Sequence, residues 1–144
     1  MNEMRFSRVY PDRKFEESWP TELLVLKGRT ILGVELLKGE DEYLRFDTPE
    51  GPVYFAVHGD CCSRSWVEHL TVPDDITGAT VVGADVKDLH EKTIDDHPDL
   101  DCLQFYEESV RTNKGDIIIE FRNSSNGYYG GELVLVEPID QKKN

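Results

Sequence analysis

Two segments hold the side chains whose types and spacing could do chemistry. The first, His58-Gly59-Asp60-Cys61-Cys62-Ser63-Arg64-Ser65-Trp66, offers an imidazole, a carboxylate, two thiols and a guanidinium. The second, Arg122-Asn123-Ser124-Ser125-Asn126-Gly127-Tyr128-Tyr129-Gly130-Gly131, offers a guanidinium, amides, hydroxyls and two phenols set among glycines. Each follows a run that reads as a buried strand. Strand ends hold side chains in place, and glycine lets a ligand come close to the backbone.

The thiols point to nucleophilic catalysis, with Cys61 or Cys62 attacking and His58 or His69 as base. Ser63 to Leu70 reads as a short helix: Ser63 suits an N-cap, and Trp66, Val67 and Leu70 fall on one face at i, i+3, i+4. A thiolate ahead of that helix would be stabilised by its N-terminus. Against this, no residue announces an oxyanion hole, and a thiol at a strand junction is ordinarily a small buried filler. Metal binding is less well supported. His58, Asp60, Cys61, Cys62 and His69 are all donors, but no Cys-x-x-Cys or His-x-x-x-His spacing organises them, and Cys102, His90 and His97 would have to arrive from remote loops. No metal or other cofactor is expected.

Binding uses the two segments more fully. Arg64 and Arg122 supply cations, Asn123, Ser124, Ser125 and Asn126 supply donors and acceptors, and Tyr128 and Tyr129 supply faces for stacking. Asp60, Ser63 and Trp66 complete the expected set of contacts. Guanidinium, amide and aromatic groups together suit a small polar or nucleotide-like ligand. The plain alternative is a glycine-rich hairpin whose tyrosines cover a sheet edge, with Arg122 paired to Glu120 or Asp60.

The elements that must position these residues are short and mostly extended. Leu23 to Leu26 and Thr30 to Leu37 are apolar runs that read as strands, or as a short helix leading into one. Glu42 to Thr48 and Val53 to His58 alternate about a turn at Pro49-Glu50-Gly51. Ala79 to Val86, Cys102 to Arg111, Asp116 to Arg122 and Glu132 to Glu137 read as further strands. Thr112 to Asp116 is a hairpin turn with Gly115 at the position that needs positive φ. Asp88 to Asp101 is polar and is expected to be an excursion of low order, and the second segment is expected to be a loop. The resulting fold class is α+β or mainly β: one compact domain, a largely antiparallel sheet with one or two short helices. Residues 1–20 read as an N-terminal arm or cover pinned by Phe6, Tyr10, Phe15 and Trp19, residues 21–138 as the globular domain, and residues 139–144 as a polar tail.

Composition narrows the partners. A chain of 144 residues with 38% apolar content can build a core without disulfides or metal. Three cysteines, two of them adjacent, make a poor disulfide framework and suit a reducing, cytoplasmic setting. Neither a secretory leader nor a membrane span is legible. A net charge of −13 repels nucleic-acid phosphates and anionic lipid, so direct nucleic-acid binding and membrane association are not expected. The same charge admits a third reading, an acidic decoy that captures a basic nucleic-acid-binding protein, although the acids are spread along the chain and interleaved with Lys and Arg.

At these two segments the chain resembles a domain-of-unknown-function family of phage and bacterial proteins. Gly59 to Ser63 with Trp66 matches its Gly-Asp-Cys-Cys-Ser…Trp pattern, and Arg122 to Gly131 its Arg-Asn-Ser-Ser-Asn-Gly-Tyr-Tyr-Gly-Gly pattern, within a similarity running from about Gly28 to Val136. The resemblance implies a small domain in a phage-associated setting and brings no catalytic assignment. The expectation is therefore a non-catalytic module that binds a small polar ligand or a host protein, with an anti-defence role such as sequestering a nucleotide-derived signal. The cysteine enzyme and the acidic decoy stand as alternatives.

Overall fold

The computed structural model describes residues 5–10, 21–38, 42–59, 64–92, 102–125 and 131–139. Along them run β1 (Phe6–Arg8), a 3-10 helix (Glu22–Leu26), β2 (Thr30–Ile31), β3 (Gly33–Lys38), β4 (Glu42–Thr48), β5 (Gly51–Gly59), β6 (Arg64–Thr71), β7 (Ala79–Lys92), β8 (Cys102–Thr112), β9 (Gly115–Ser125) and β10 (Gly131–Pro138). The strands form two sheets, ordered β1-β10-β5-β4-β3 and β2-β7-β8-β9-β6. Every pairing between them is antiparallel. The fold is mainly β, a single compact domain. No helix among the described residues is long and apolar enough to cross a membrane.

Turn chemistry sets two of the hairpins in the same way. Thr48 and Thr112 each donate a hydroxyl hydrogen bond to the carbonyl three residues on, Gly51 at 2.6 Å and Gly115 at 2.5 Å. Each hydroxyl also accepts from the amide two residues on, Glu50 at 3.3 Å and Lys114 at 3.0 Å. Both glycines carry the positive φ that closes such a turn, +121° and +119°. Thr21 works likewise at the 3-10 helix, its hydroxyl capping the Leu23 amide at 3.1 Å.

Alternation then builds the core. Leu44, Phe46, Phe55 and Leu133 of one sheet meet Val67, Val81, Val110, Ile117, Ile119 and Phe121 of the other, with Leu23 and Leu26 of the 3-10 helix filling in. Burial of these side chains stabilises the fold by about 1.5–3 kcal/mol each. The first sheet is apolar on its outer face too, where Phe6 of β1 packs on Tyr43 and Tyr54 at ring separations of 4.1 and 4.9 Å. Phe15 and Trp19, expected to help pin the N-terminal arm, lie outside the described residues.

Carboxylates finish the sheet borders. β1 ends beside β10 where Val9 donates to the Leu135 carbonyl at 2.9 Å. The next amides along that edge go to side chains: Leu135 donates to Glu22 at 2.8 Å, and Leu133 donates to Glu108. At the β6 border, the Val67 amide donates to Glu42 of β4 at 2.8 Å, tying one sheet to the other. Unpaired strand amides are costly when buried, and these three glutamates satisfy them.

Three expectations need correction. Ser63 to Leu70 is not a helix: from Arg64 the chain is β6, paired with β9. A bulge at Glu68 explains the misreading. Val67 lies opposite Phe121 and His69 opposite Glu120, so Glu68 is an extra residue. One extra residue brings Val67 and Leu70, three apart, onto the same inward face and imitates helical spacing. Asp88 to Lys92 is not an irregular excursion but continues β7, paired with β8 as far as Leu103; the rest of that expectation, residues 93–101, lies outside the described residues. Finally, Arg122 to Ser125 is not loop but the end of β9, held on both sides by β6 and β8. Pairing from two neighbours overrides the weak strand propensity of Asn and Ser.

Candidate functional site

Register places the described residues of both motifs at one end of the two sheets. Gly59, the last residue of β5, pairs with Gly131, the first of β10, and His58 pairs with Glu132. In the other sheet Arg64, Ser65 and Trp66 pair with Ser124, Asn123 and Arg122. The first motif therefore leaves the first sheet and enters the second beside the positions where the later motif makes the reverse passage. Cys102 also starts at this end, opposite Ser125, a juxtaposition that sequence separation concealed.

The described side chains divide between two faces. Asn123 points inward, is fully buried, and donates from Nδ2 to Ser65 Oγ at 2.8 Å. It holds β6 against β9 just where the chain leaves the sheet, which is a structural task. Arg122 points to the outer face in a row with Trp66 and Phe105, its partners across the two neighbouring strands. Its guanidinium carbon lies 4.3 Å from the Phe105 ring centroid, an Nη atom lies 3.8 Å from Glu120, and Nη1 donates to the Phe121 carbonyl at 3.3 Å. The side chain is 15% exposed. Stacking on an aromatic face is a favourable role for a weakly hydrated guanidinium, and it makes Arg122 a wall of this end. Trp66 is half-buried and donates from Nε1 to Glu68 at 3.0 Å. Phe105 is the member of this row that no sequence motif flagged; a β8 register against Arg122 was the signal that could have found it. Ser124 is buried beside them.

Other expected residues are placed less completely. His58, Arg64 and Ser125 are located by backbone pairing. Asp60, Cys61, Cys62, Ser63, Asn126, Tyr128 and Tyr129 lie outside the described residues. His69 is exposed on β6, five residues from Arg64, and roughly 15 Å along the strand at the usual rise. Because β6 replaces the expected helix, no helix N-terminus follows Cys62 to lower a thiol pKa. The helix part of the case for an activated cysteine goes with it. Among the described residues, the outer face at this end carries the row of Trp66, Arg122 and Phe105, two aromatic rings about a cation.

Comparison with known proteins agrees with the extent of the resemblance and assigns no activity. No curated protein and no solved structure matches the chain. One family model does, described as a domain of unknown function (DUF7448), over residues 24–135. That span takes in both motifs and the strands from β2 to β9 with the first half of β10, and by it the chain belongs to the DUF7448 family.

Proposed function

We propose that this chain is a non-catalytic binding module, and that a small polar, nucleotide-like ligand sits at the end of the sandwich shared by the two motifs. One observation carries the reading. The motifs are flanked in both sheets by residues paired with each other, Gly59 with Gly131 and Arg64 with Ser124. That pairing supports one neighbourhood for the two segments, and the residue types they contain suit recognition of a planar anion: Arg64, Trp66, Arg122, Ser125, Asn126, Tyr128 and Tyr129. The acidity of the chain supports a compact ligand over polymeric nucleic acid. In a phage-associated, cytoplasmic setting, sequestration of a nucleotide-derived defence signal is the concrete form of this function.

The test is titration calorimetry against a panel of cyclic and linear nucleotides. Binding of at least one is expected, weakened about tenfold or more in Arg64→Ala and Tyr128→Ala while circular dichroism stays unchanged. Absence of heat with every nucleotide, or affinity unchanged from the native chain in both variants, removes the proposal.

A further inference from the structure

We propose that Thr21 and Glu22, together with β1, form a latch over the β10 edge that lifts when Glu108 ionises, baring the Leu135 amide. The geometry comes first. Glu22 and Glu108 are each 4% exposed, and they cap amides two residues apart on one strand, about 7 Å at the usual rise. Arg8 clamps Glu22 through both carboxylate oxygens, at 3.0 and 2.5 Å. Glu108 has neutral donors, the Thr21 hydroxyl and the Leu133 amide.

The charged groups facing Glu108 make its ionised form unwelcome. The 3-10 helix presents Glu22 and β10 presents Glu132, both negative. The cation on β1, Arg8, is engaged by Glu22. Across β7 the register partner is Val86, flanked by Asp85 and Lys87, with Asp85 held by Arg111 at 2.6 Å; across β9 it is Ile119, flanked by Ile118 and by Glu120, a further acid. Burial pushes the Glu108 carboxyl up to about 7; the Thr21 and Leu133 hydrogen bonds pull it back and the charges of Glu132 and Glu22 add to the rise.

Relief can come from one side. Glu108 sits on β8, paired with β7 and β9 along its length, so it stays. Thr21 and Glu22 attach to that region through side-chain contacts, and lifting them admits water to Glu108 while carrying the Glu22 charge away. Leu23 and Leu26, fully buried, remain as the anchor. β10 begins at Gly131, so the latch closes over the same strand that carries the second motif into its sheet.

Amide hydrogen exchange on the full chain, without ligand, tests this. After correction for intrinsic rates, protection of Leu135 should fall roughly 70-fold between pH 5 and pH 8, the factor expected when a carboxyl moves from about 7 to its ordinary value on opening. At pH 8 it should exchange faster than Ile119, which reports global unfolding. Glu108→Gln should abolish the pH dependence. Protection that is flat with pH, exchange of Leu135 no faster than Ile119, or a Glu108→Gln protein that keeps the dependence, overturns the proposal. Should that variant fail to fold, carbon-13 titration of Glu108 in the native chain decides: a midpoint near 7 supports the latch and one near 4.5 refutes it.

Discussion

Replacing Glu108 by glutamine should change how the whole protein's stability depends on pH. In the folded chain burial raises this carboxyl from 4.5 to about 7, opposed by the hydrogen bonds from Thr21 and Leu133 and aided by Glu132 and Glu22. Between those values the native state holds a proton that the unfolded state has released, so the slope of unfolding free energy against pH is negative. The contribution is present in full below pH 4.5, declines as pH rises, and is gone above about 7. At about 1.4 kcal/mol per pH unit, the gap amounts to about 3 kcal/mol. Glutamine at the same position keeps an oxygen to accept from Thr21 and Leu133 and cannot ionise. Urea denaturation of both proteins at pH 4.5 and pH 8, followed by circular dichroism, reads the effect. Every other titrating group is common to the two, so the difference between them isolates Glu108. The variant should gain about 3 kcal/mol on the native chain between the two conditions. A difference that does not move with pH would show that the carboxyl is hydrated in the folded state, and the account of the β10 edge would fail.

Other expectations follow from packing and turn geometry. Phe121, fully buried and stacked on Tyr106 at a ring separation of 5.2 Å, should cost about 3–5 kcal/mol when cut to alanine, measured by urea denaturation at neutral pH. Gly115→Ala should lower stability by about 1–3 kcal/mol, because φ is +119° and a Cβ there would meet Pro73 Cγ at 3.0 Å; a neutral effect would contradict the turn. Deleting Glu68 should leave a folded protein, since Val67 and Leu70 keep their inward face without the bulge residue. Deleting Ile118 from unbulged β9 should abolish folding, because it turns one half of the strand inside out. Equal outcomes for the two deletions, judged by circular dichroism and thermal melting, would refute the bulge assignment.

Local physics was legible along the chain. The threonine and glycine pairs around Pro49-Glu50 and Asn113-Lys114 declare their turns because hydroxyl, amide and positive φ act within four residues. The alternation of Ile117, Ile119 and Phe121 declares a half-buried strand for the same reason. The two motifs stood out by composition, before anything placed them together. Long-range pairing was another matter. A bulge at Glu68 is a property of two strands, so β6 alone could pass for a helix. Asn123 and Ser124 carry no strand signal and are extended because β6 and β8 flank them. The run Thr30 to Leu37 divides at Leu32, whose amide turns to Asp47 at 2.7 Å while Ile31 still accepts from Gly78 at 2.8 Å; only the presence of both sheets makes that division necessary. Glu22 and Glu108 look like two more surface acids among many, since nothing local marks a carboxylate for burial. Their environment is made by residues more than a hundred positions away for Glu22, and across the sandwich for Glu108, and desolvation is a property of that assembled surrounding. Residue types and short spacings thus settled the turns and most of the strands, while contacts between distant segments settled how β6 and the ends of β7 and β9 run, which sheet each strand joins, and which acids lose their water.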